Sequence, residues 1–206
     1  MKKYKLTTET LQFAGRTLHR IKAVKDFDSI KAGEFGGWIE NEKNLSQDDN
    51  AWIYGDAMVF DNAMVFDNAE VYGNANVSGN ASVFGNAEVY GNANVFGNAS
   101  VSSNAEVYGN ANVSDYAKVY GNAVIKGDAK VHDAVDYIVF KNFWSSGRYF
   151  TWTSSNNKWS VGCFYGTGEE LIKKAYADSE KSGREYERVV RYVESILADE
   201  KKEKSN

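Results

Sequence analysis

A general base, a nucleophile and a run of carboxylates are the chemical groups this sequence puts forward, and few residues supply them. Of the two histidines, His132 follows Val131 at the end of a long repetitive stretch, and His19 lies in "TLHRIK". An imidazole ionises near neutral pH, so His132 is the candidate general base, against the competing reading of a solvated surface side chain. His19 is the weaker candidate. The single cysteine, Cys163, has no histidine near it in the sequence. Between Val161 and Phe164 it reads as a small buried apolar residue rather than a nucleophile. No Cys/His pair has metal-ligand spacing, so no metal site is expected.

The carboxylates are Glu70, Glu88 and Glu106, each followed two residues later by Tyr72, Tyr90 and Tyr108, with Tyr54 heading the tyrosine series. If this spacing is a stacking repeat, neighbouring carboxylates lie about 4.8 Å apart and repel by roughly 1 kcal/mol in water. They are then either solvated or matched by Lys or Arg of a neighbouring subunit, or by a cationic ligand group. Exposed aromatic columns mark interfaces, so Glu70, Glu88, Glu106 and Tyr54 are assigned to a subunit interface. Tyr72, Tyr90 and Tyr108 are also candidates for stacking on a base or a sugar. A third set lies in the last third of the chain, where Arg148, Lys158, Lys173, Lys174, Arg184, Arg188 and Arg191 accompany Trp152. Arginine grips phosphate and aromatic rings stack on bases, so Arg148, Trp152, Lys158, Arg184 and Arg188 are candidate ligand-binding residues. The alternative is helix-surface charge offset by Glu180, Glu185, Glu187 and Glu194 at helical spacings.

The elements that must position these groups follow from a six-residue period. Ala recurs every six residues from Ala51 to Ala129, and two residues after each Ala stands Val or Ile, from Ile53 to Val131. These are fourteen consecutive hexads of the form A-x-[VI]-x-[GDS]-[NDY], with only the last pair drifting. The spacing of two puts Ala and Val on one side of a short strand. The Gly-Asn or Asp-Asn pair that follows suits a left-handed corner. Such a strand buries its inner face only by stacking on copies of itself, as in a solenoid. Three hexads close one triangular coil, which accounts for the eighteen-residue recurrence of Glu, Tyr, Asn and Ser at outward positions. Ile39 and Leu45 extend the six-residue spacing backwards from Ala51, so the solenoid is expected to begin near residue 35 with Gly36-Gly37 as a corner.

The flanks differ in kind. "YKLTTETLQFAGRTLHRIKAV" alternates and breaks at Ala14-Gly15, which reads as a strand pair capping the open edge of the solenoid. After residue 134, "DYIVFKNF", "RYFTWTSS" and "KWSVGCFY" read as three strands joined by Ser146-Gly147 and Asn156-Asn157. Thr167 with Glu170 forms a capping box that opens a helix over 168–181, Ser182-Gly183 breaks it, a second helix spans 184–199, and KKEKSN is a loose tail. The expected domains are an N-terminal β cap (1–34), the β-helix (35–134) and a C-terminal α+β module (135–206).

Composition narrows the function. The chain has no Pro and one Cys, a net charge of −4, and no apolar run of signal-peptide or membrane-span length at its charged start, MKKYKLTTETLQF. A cytoplasmic protein of a bacterial cell, without a membrane partner, is expected. Residues 51–134 carry three Lys/Arg against nine Asp/Glu, so a basic face for duplex nucleic acid is absent. The hexads resemble those of hexapeptide-repeat proteins, best known from acyltransferases. That resemblance implies a left-handed parallel β-helix, homotrimers and ligand sites between subunits. It also implies a catalytic histidine, and often loops that project from the coils. No hexad here carries an insertion. "GGWIENEKNLSQDDNAWIYG" and "WSVGCFYGTGEELIKKAY" further resemble uncharacterised repeat proteins of bacteriophages and prophages. The leading expectation is therefore a non-enzymatic, trimeric, phage-type binding protein without a cofactor. It would hold a phosphorylated or nucleotide ligand, such as an immune signal of the host. The alternatives are an acyltransferase using acyl-CoA, with His132 as base, and a structural or assembly protein.

Overall fold

Each hexad folds as a two-residue strand and a corner in this computed structural model, which describes residues 2–203. The chain divides into two compact units between Asp136 and Tyr137. In the first, three longer strands, β1 (Tyr4–Phe13), β2 (Arg16–Ala23) and β3 (Phe35–Ile39), precede fourteen two-residue strands, β4 to β17, running from Trp52–Ile53 to Lys130–Val131. Every third short strand pairs in parallel with the one eighteen residues on, which builds three faces: β4-β7-β10-β13-β16, β5-β8-β11-β14-β17 and β6-β9-β12-β15. The result is a left-handed parallel β-helix of about five turns. All fourteen hexad Ala residues and all fourteen Val or Ile residues are at most 1% exposed. Each buried Val contributes roughly 1.5–3 kcal/mol, so the inward Ala and Val columns of the three faces form the core of the prism.

The corners hold the coils in register. Their fifth-position residues have left-handed backbones, with φ near +70° at Gly73, Gly91 and Gly109. Close stacking adds a second constraint: a Cβ on Gly91 would meet the backbone nitrogen of Gly109 at 3.0 Å. Asp61 and Asp67 occupy the same conformation with φ of 59° each. Their carboxylates accept from the Gly79 and Gly85 amides of the next coil at 3.1 and 3.0 Å, which offsets the strain. The following Asn donates its backbone N–H to the next coil, as from Asn74 to the Gly91 carbonyl and from Asn92 to that of Gly109, both at 2.7 Å. Its side chain does the same. Asn50, Asn68, Asn86 and Asn104 form one amide ladder, Asn62, Asn80 and Asn98 a second, and Asn74, Asn92 and Asn110 a third. The three corners of the triangle are thus three parallel amide ladders.

The N-terminal hairpin turns at Ala14 and Gly15, which have φ of 50° and 77°. β2 pairs antiparallel with β3, and β3 pairs parallel with β5, so the hairpin continues one face of the prism. The other two faces are closed by side chains. Lys3, fully buried, donates through Nζ to the carbonyls of Asp49 and Ala51 at 2.8 Å each, and Tyr4 Oη donates to Leu45 at 2.8 Å. Two expectations change here. Gly36 and Gly37 lie inside β3 rather than at a corner, and they are glycine because a Cβ would strike the Ile53 carbonyl and the Ala57 carbonyl at 2.6 Å each. Ile39 and Leu45 pair with Val59 and Val65, so they stand in the valine column, not the alanine one. The shift arises because Leu45 and Ile53 are separated by two residues more than a hexad allows.

The second unit is an antiparallel sheet of four strands, β18 (Tyr137–Lys141), β19 (Tyr149–Thr153), β20 (Lys158–Val161) and β21 (Phe164–Gly166), followed by helices α1 (Gly168–Asp178) and α2 (Glu180–Glu203). Where one strand was expected over "KWSVGCFY", Gly162 with φ of 55° turns the chain into two. Cys163 sits in that turn and is exposed, not buried. Thr167 and Glu170 form the capping box. The helix break falls at Ser179, while Gly183 lies within α2, where a Cβ would enter the Tyr176 ring at 2.2 Å. Gly183 therefore serves close packing rather than termination. Lys201–Glu203 belong to α2 instead of a loose tail, and residues 204–206 lie outside the described residues. Phe150, Trp152, Trp159, Leu171, Tyr186 and Val190 form the core of this unit.

Corner stacking can be tested with two glycines of the same backbone conformation. Gly121 has φ of +72° but nothing within 4 Å of an added Cβ. Gly121→Ala should cost about 1–2 kcal/mol for the left-handed backbone alone. Gly91→Ala should cost at least about 1 kcal/mol more, because its methyl group meets the next coil. Urea unfolding of the two variants checks the difference; equal losses would mean the coils do not stack this closely.

Candidate functional site

His132 ends an outward column of the prism. β17 carries it one residue past Val131, and the eighteen-residue register sets it over Ser114. Its Nδ1 lies 2.7 Å from Ser114 Oγ and 3.1 Å from Asp115 Oδ2. The Ser114 hydroxyl donates to the same Asp115 oxygen at 3.3 Å. The Asp115 carboxylate can only accept, so a proton on Nδ1 suits this geometry. The ring is fixed in orientation yet half exposed, at 53%. Asp136 Oδ2 accepts from the backbone amides of His132 and Asp133 at 2.7 and 3.0 Å, which pins the chain as it leaves the last strand. The imidazole thus stands at the end of its column with an anionic partner beside it.

Ser114 and Asp115 are absent from the sequence-based candidates, although the signal was available. The same eighteen-residue period that stacks the glutamates puts position 114 beneath position 132. The hexad there also reads Asp115-Tyr116 where most corners read Gly-Asn. His19 does not join this cluster: its Nδ1 lies 3.3 Å from the Thr7 carbonyl, across the hairpin.

The glutamate and tyrosine columns lie side by side on the β4-β7-β10-β13-β16 face. Glu70, Glu88 and Glu106 are in register on adjacent strands. They are neither isolated carboxylates nor fully solvated ones. Tyr54 Oη donates to Glu70 at 3.1 Å, Tyr72 Oη to Glu88 at 2.6 Å and Tyr90 Oη to Glu106 at 3.1 Å. Tyr72 stacks on Tyr90 and Tyr90 on Tyr108, with centroids 4.6 and 4.5 Å apart and planes within 10°. Tyr54 departs from the stack and meets Tyr72 edge-on, at 6.3 Å and 89°. The phenols resist ionisation. Burial, then the charge and hydrogen bond of Glu70, push Tyr54 up to about 12. Tyr72 is raised by burial and by its bond to Glu88, and Tyr90 by burial and the charge of Glu106.

In the second unit the candidate ligand residues are dispersed into local pairs. Trp152 is 3% exposed and donates through Nε1 to Asn157 at 2.8 Å, so its ring belongs to the core and is not open for stacking. Arg184 pairs with Glu180 at 3.5 Å and Arg188 with Glu185 at 2.8 Å, while Arg191 contacts Glu169, Glu187 and Glu194. Lys158 lies over the Tyr165 ring at 4.9 Å. Arg148 and Lys174 border a depression of only about 20 Å³ beside Cys163, too small for a nucleotide. Among the described residues, no group of three or more His, Cys, Asp or Glu side chains is placed to hold a metal ion, and no helix is long and apolar enough to cross a membrane.

The chain is similar to a curated Escherichia coli (strain K12) protein described as an uncharacterized acetyltransferase, YdcK, with 39% identity over 62 residues. The match takes in 26% of this chain and 19% of that protein, so the chain spans about a fifth of the length of the relative it matches. No family model matches the chain.

The tyrosine column has a pH signature. A folded-state phenol held above its unfolded value contributes stability that is complete below about pH 10 and is lost as pH rises through the folded value. The protein should therefore lose stability from about pH 10 upward. Phenolate absorbance should show Tyr54 titrating near 12 and Tyr72 and Tyr90 above the ordinary range. Ionisation of Tyr54, Tyr72 or Tyr90 near pH 10 in the folded protein would contradict their hydrogen bonds to Glu70, Glu88 and Glu106.

Proposed function

We propose that this protein is a hexapeptide-repeat acyltransferase that uses His132 as its general base and an acyl-CoA as donor. The observation that carries the reading is the Ser114–Asp115–His132 geometry, with Nδ1 engaged at 2.7 and 3.1 Å. The similarity to an uncharacterized acetyltransferase lends it support. In this reading Nε2 removes the proton from an acceptor hydroxyl or amine as its oxygen or nitrogen attacks the thioester carbonyl. The tetrahedral intermediate collapses, the C–S bond breaks, and the imidazolium returns the proton to the departing thiolate. Asp115 stabilises the imidazolium, and Ser114, buried at 1% exposure, positions the ring.

A second reading rests on a different observation. The hexads from 51 to 134 run without an insertion, so no loop from the coils shapes an acceptor pocket beside His132. That favours a protein that holds a ligand or a partner without turning it over. A homotrimer belongs to both readings as an expectation from the fold. One experiment separates the two. With acetyl-CoA and a panel of amine and hydroxyl acceptors, the first reading expects thiol release that falls by at least about 100-fold in His132→Ala. Asp115→Asn should lower kcat with little change in KM. Absence of thiol release from the wild-type chain with every acceptor, or an unaffected His132→Ala, would leave the binding reading in its place.

A further inference from the structure

The stack of tyrosines has two ends, and they are treated differently. At one end the outer face of Tyr108 is covered by the ammonium of Lys126, 5.5 Å from the ring centroid. Lys126 follows Tyr108 in the column by the same eighteen residues, so the chain itself places a cation on the end of its aromatic stack. At the other end Tyr72 is covered on one face by Tyr90 only. Its second face looks onto Tyr54, which stands at 89° and leaves a notch instead of completing the stack. The notch is a shallow, open depression of about 390 Å³ lined by Tyr54, Glu70 and Tyr72. Glu70 receives one hydrogen bond there, from Tyr54 Oη, and its second carboxylate oxygen accepts none among the described residues.

We propose that the Tyr54–Glu70–Tyr72 notch binds an organic cation, a quaternary ammonium or a guanidinium. Two tyrosines at a right angle supply a π face and a ring edge, and a carboxylate between them supplies the counter-charge. A cation within about 6 Å of a ring face is attracted by the ring quadrupole, most strongly where water is partly excluded. The half-buried setting of all three residues meets that condition. Lys126 on Tyr108 is the internal precedent, since the same column accepts an ammonium where the sequence provides one. The notch lies on a different face of the prism from His132, so this proposal stands apart from the acyl-transfer reading.

The test is a titration of the full-length, isotope-labelled protein with choline and, separately, with N-acetyl-arginine amide, followed through the backbone amide signals of residues 54–56 and 70–73. Saturable shifts confined to those residues are expected with at least one probe. Binding should weaken roughly tenfold in Glu70→Gln, which preserves the side-chain shape, and stay unchanged in Glu106→Gln, which removes a ladder carboxylate distant from the notch. Tyr72→Phe should keep the binding, because the ring face and not the hydroxyl is used. Binding of choline alone identifies a free quaternary ammonium compound as the source, and binding of the arginine amide alone identifies a protein side chain. The proposal is overturned if neither probe saturates at tens of millimolar. It is also overturned if Glu106→Gln weakens binding as much as Glu70→Gln, or if 3,3-dimethylbutanol, the uncharged isostere of choline, binds as well as choline.

Discussion

The constraint on which the rest of this structure depends is that each coil must lie on the next with main chain against main chain. Eighteen residues separate a corner from its copy, and at Gly73 or Gly91 an added Cβ would meet the corner backbone of the next coil at 3.0 Å. Backbone amides of the corner Asn residues then reach the carbonyl of the coil above at 2.7 Å. Given that superposition, the inward positions accept only a small residue and a branched one, which is why Ala and Val alternate without a miss. Outward positions have no choice but to form columns, because a residue repeated every eighteen positions meets its own copy about 4.8 Å away. Asn copies satisfy one another as amide ladders, Tyr copies stack, and Glu copies are tolerated because each accepts a phenol from the coil before.

Most of the prism was legible because its period is short and strict. Strand positions, the three faces and the contents of each outward column follow from counting by six and by eighteen. The failures occur where the count is disturbed. Two extra residues between Leu45 and Ile53 move Ile39 and Leu45 from the alanine to the valine column, which their large branched side chains fit and the count by six conceals. Gly36, Gly37 and Gly183 look in the sequence like turning or breaking residues, whereas each is glycine because a neighbour's backbone or ring occupies the place of its Cβ. Such close approaches depend on tertiary packing, which local pattern does not encode. Cys163 was read as buried because it stands between apolar residues, but Gly162 turns the chain there and brings it to the surface. The site residues divide in the same way. His132 was identifiable by residue type, while Asp115 and Ser114 needed the eighteen-residue register to be applied once more. Arg184 and Arg188, candidates for gripping phosphate, pair with Glu180 and Glu185 at the helical spacings that the sequence also offers.

Both candidate sites of the first unit lie where a column ends. In the middle of a column the corner Asn amides pair with their own copies and the glutamates with the neighbouring tyrosines. At an end the copies stop and a different residue takes over. The Phe60–Ser78–Phe96–Ser114 column finishes in His132, whose ring is held by the serine below and by Asp115 at the adjoining corner. The tyrosine stack finishes at Tyr72, where Tyr54 turns aside to bond Glu70. Both candidate sites thus stand at positions where the repetition fails.

Site-resolved amide hydrogen exchange along residues 51–131 tests the stacking constraint most directly. If the coils are locked by their corners, the Asn74, Asn92 and Asn110 amides, each donated to the coil above, exchange as slowly as the Val89 and Val107 amides of the strands. Protection should then fall only at the last coil. Corner amides that exchange at the rate of surface loops while the strands stay protected would contradict it, and would mean that the valine and alanine columns hold the prism without help from the corners.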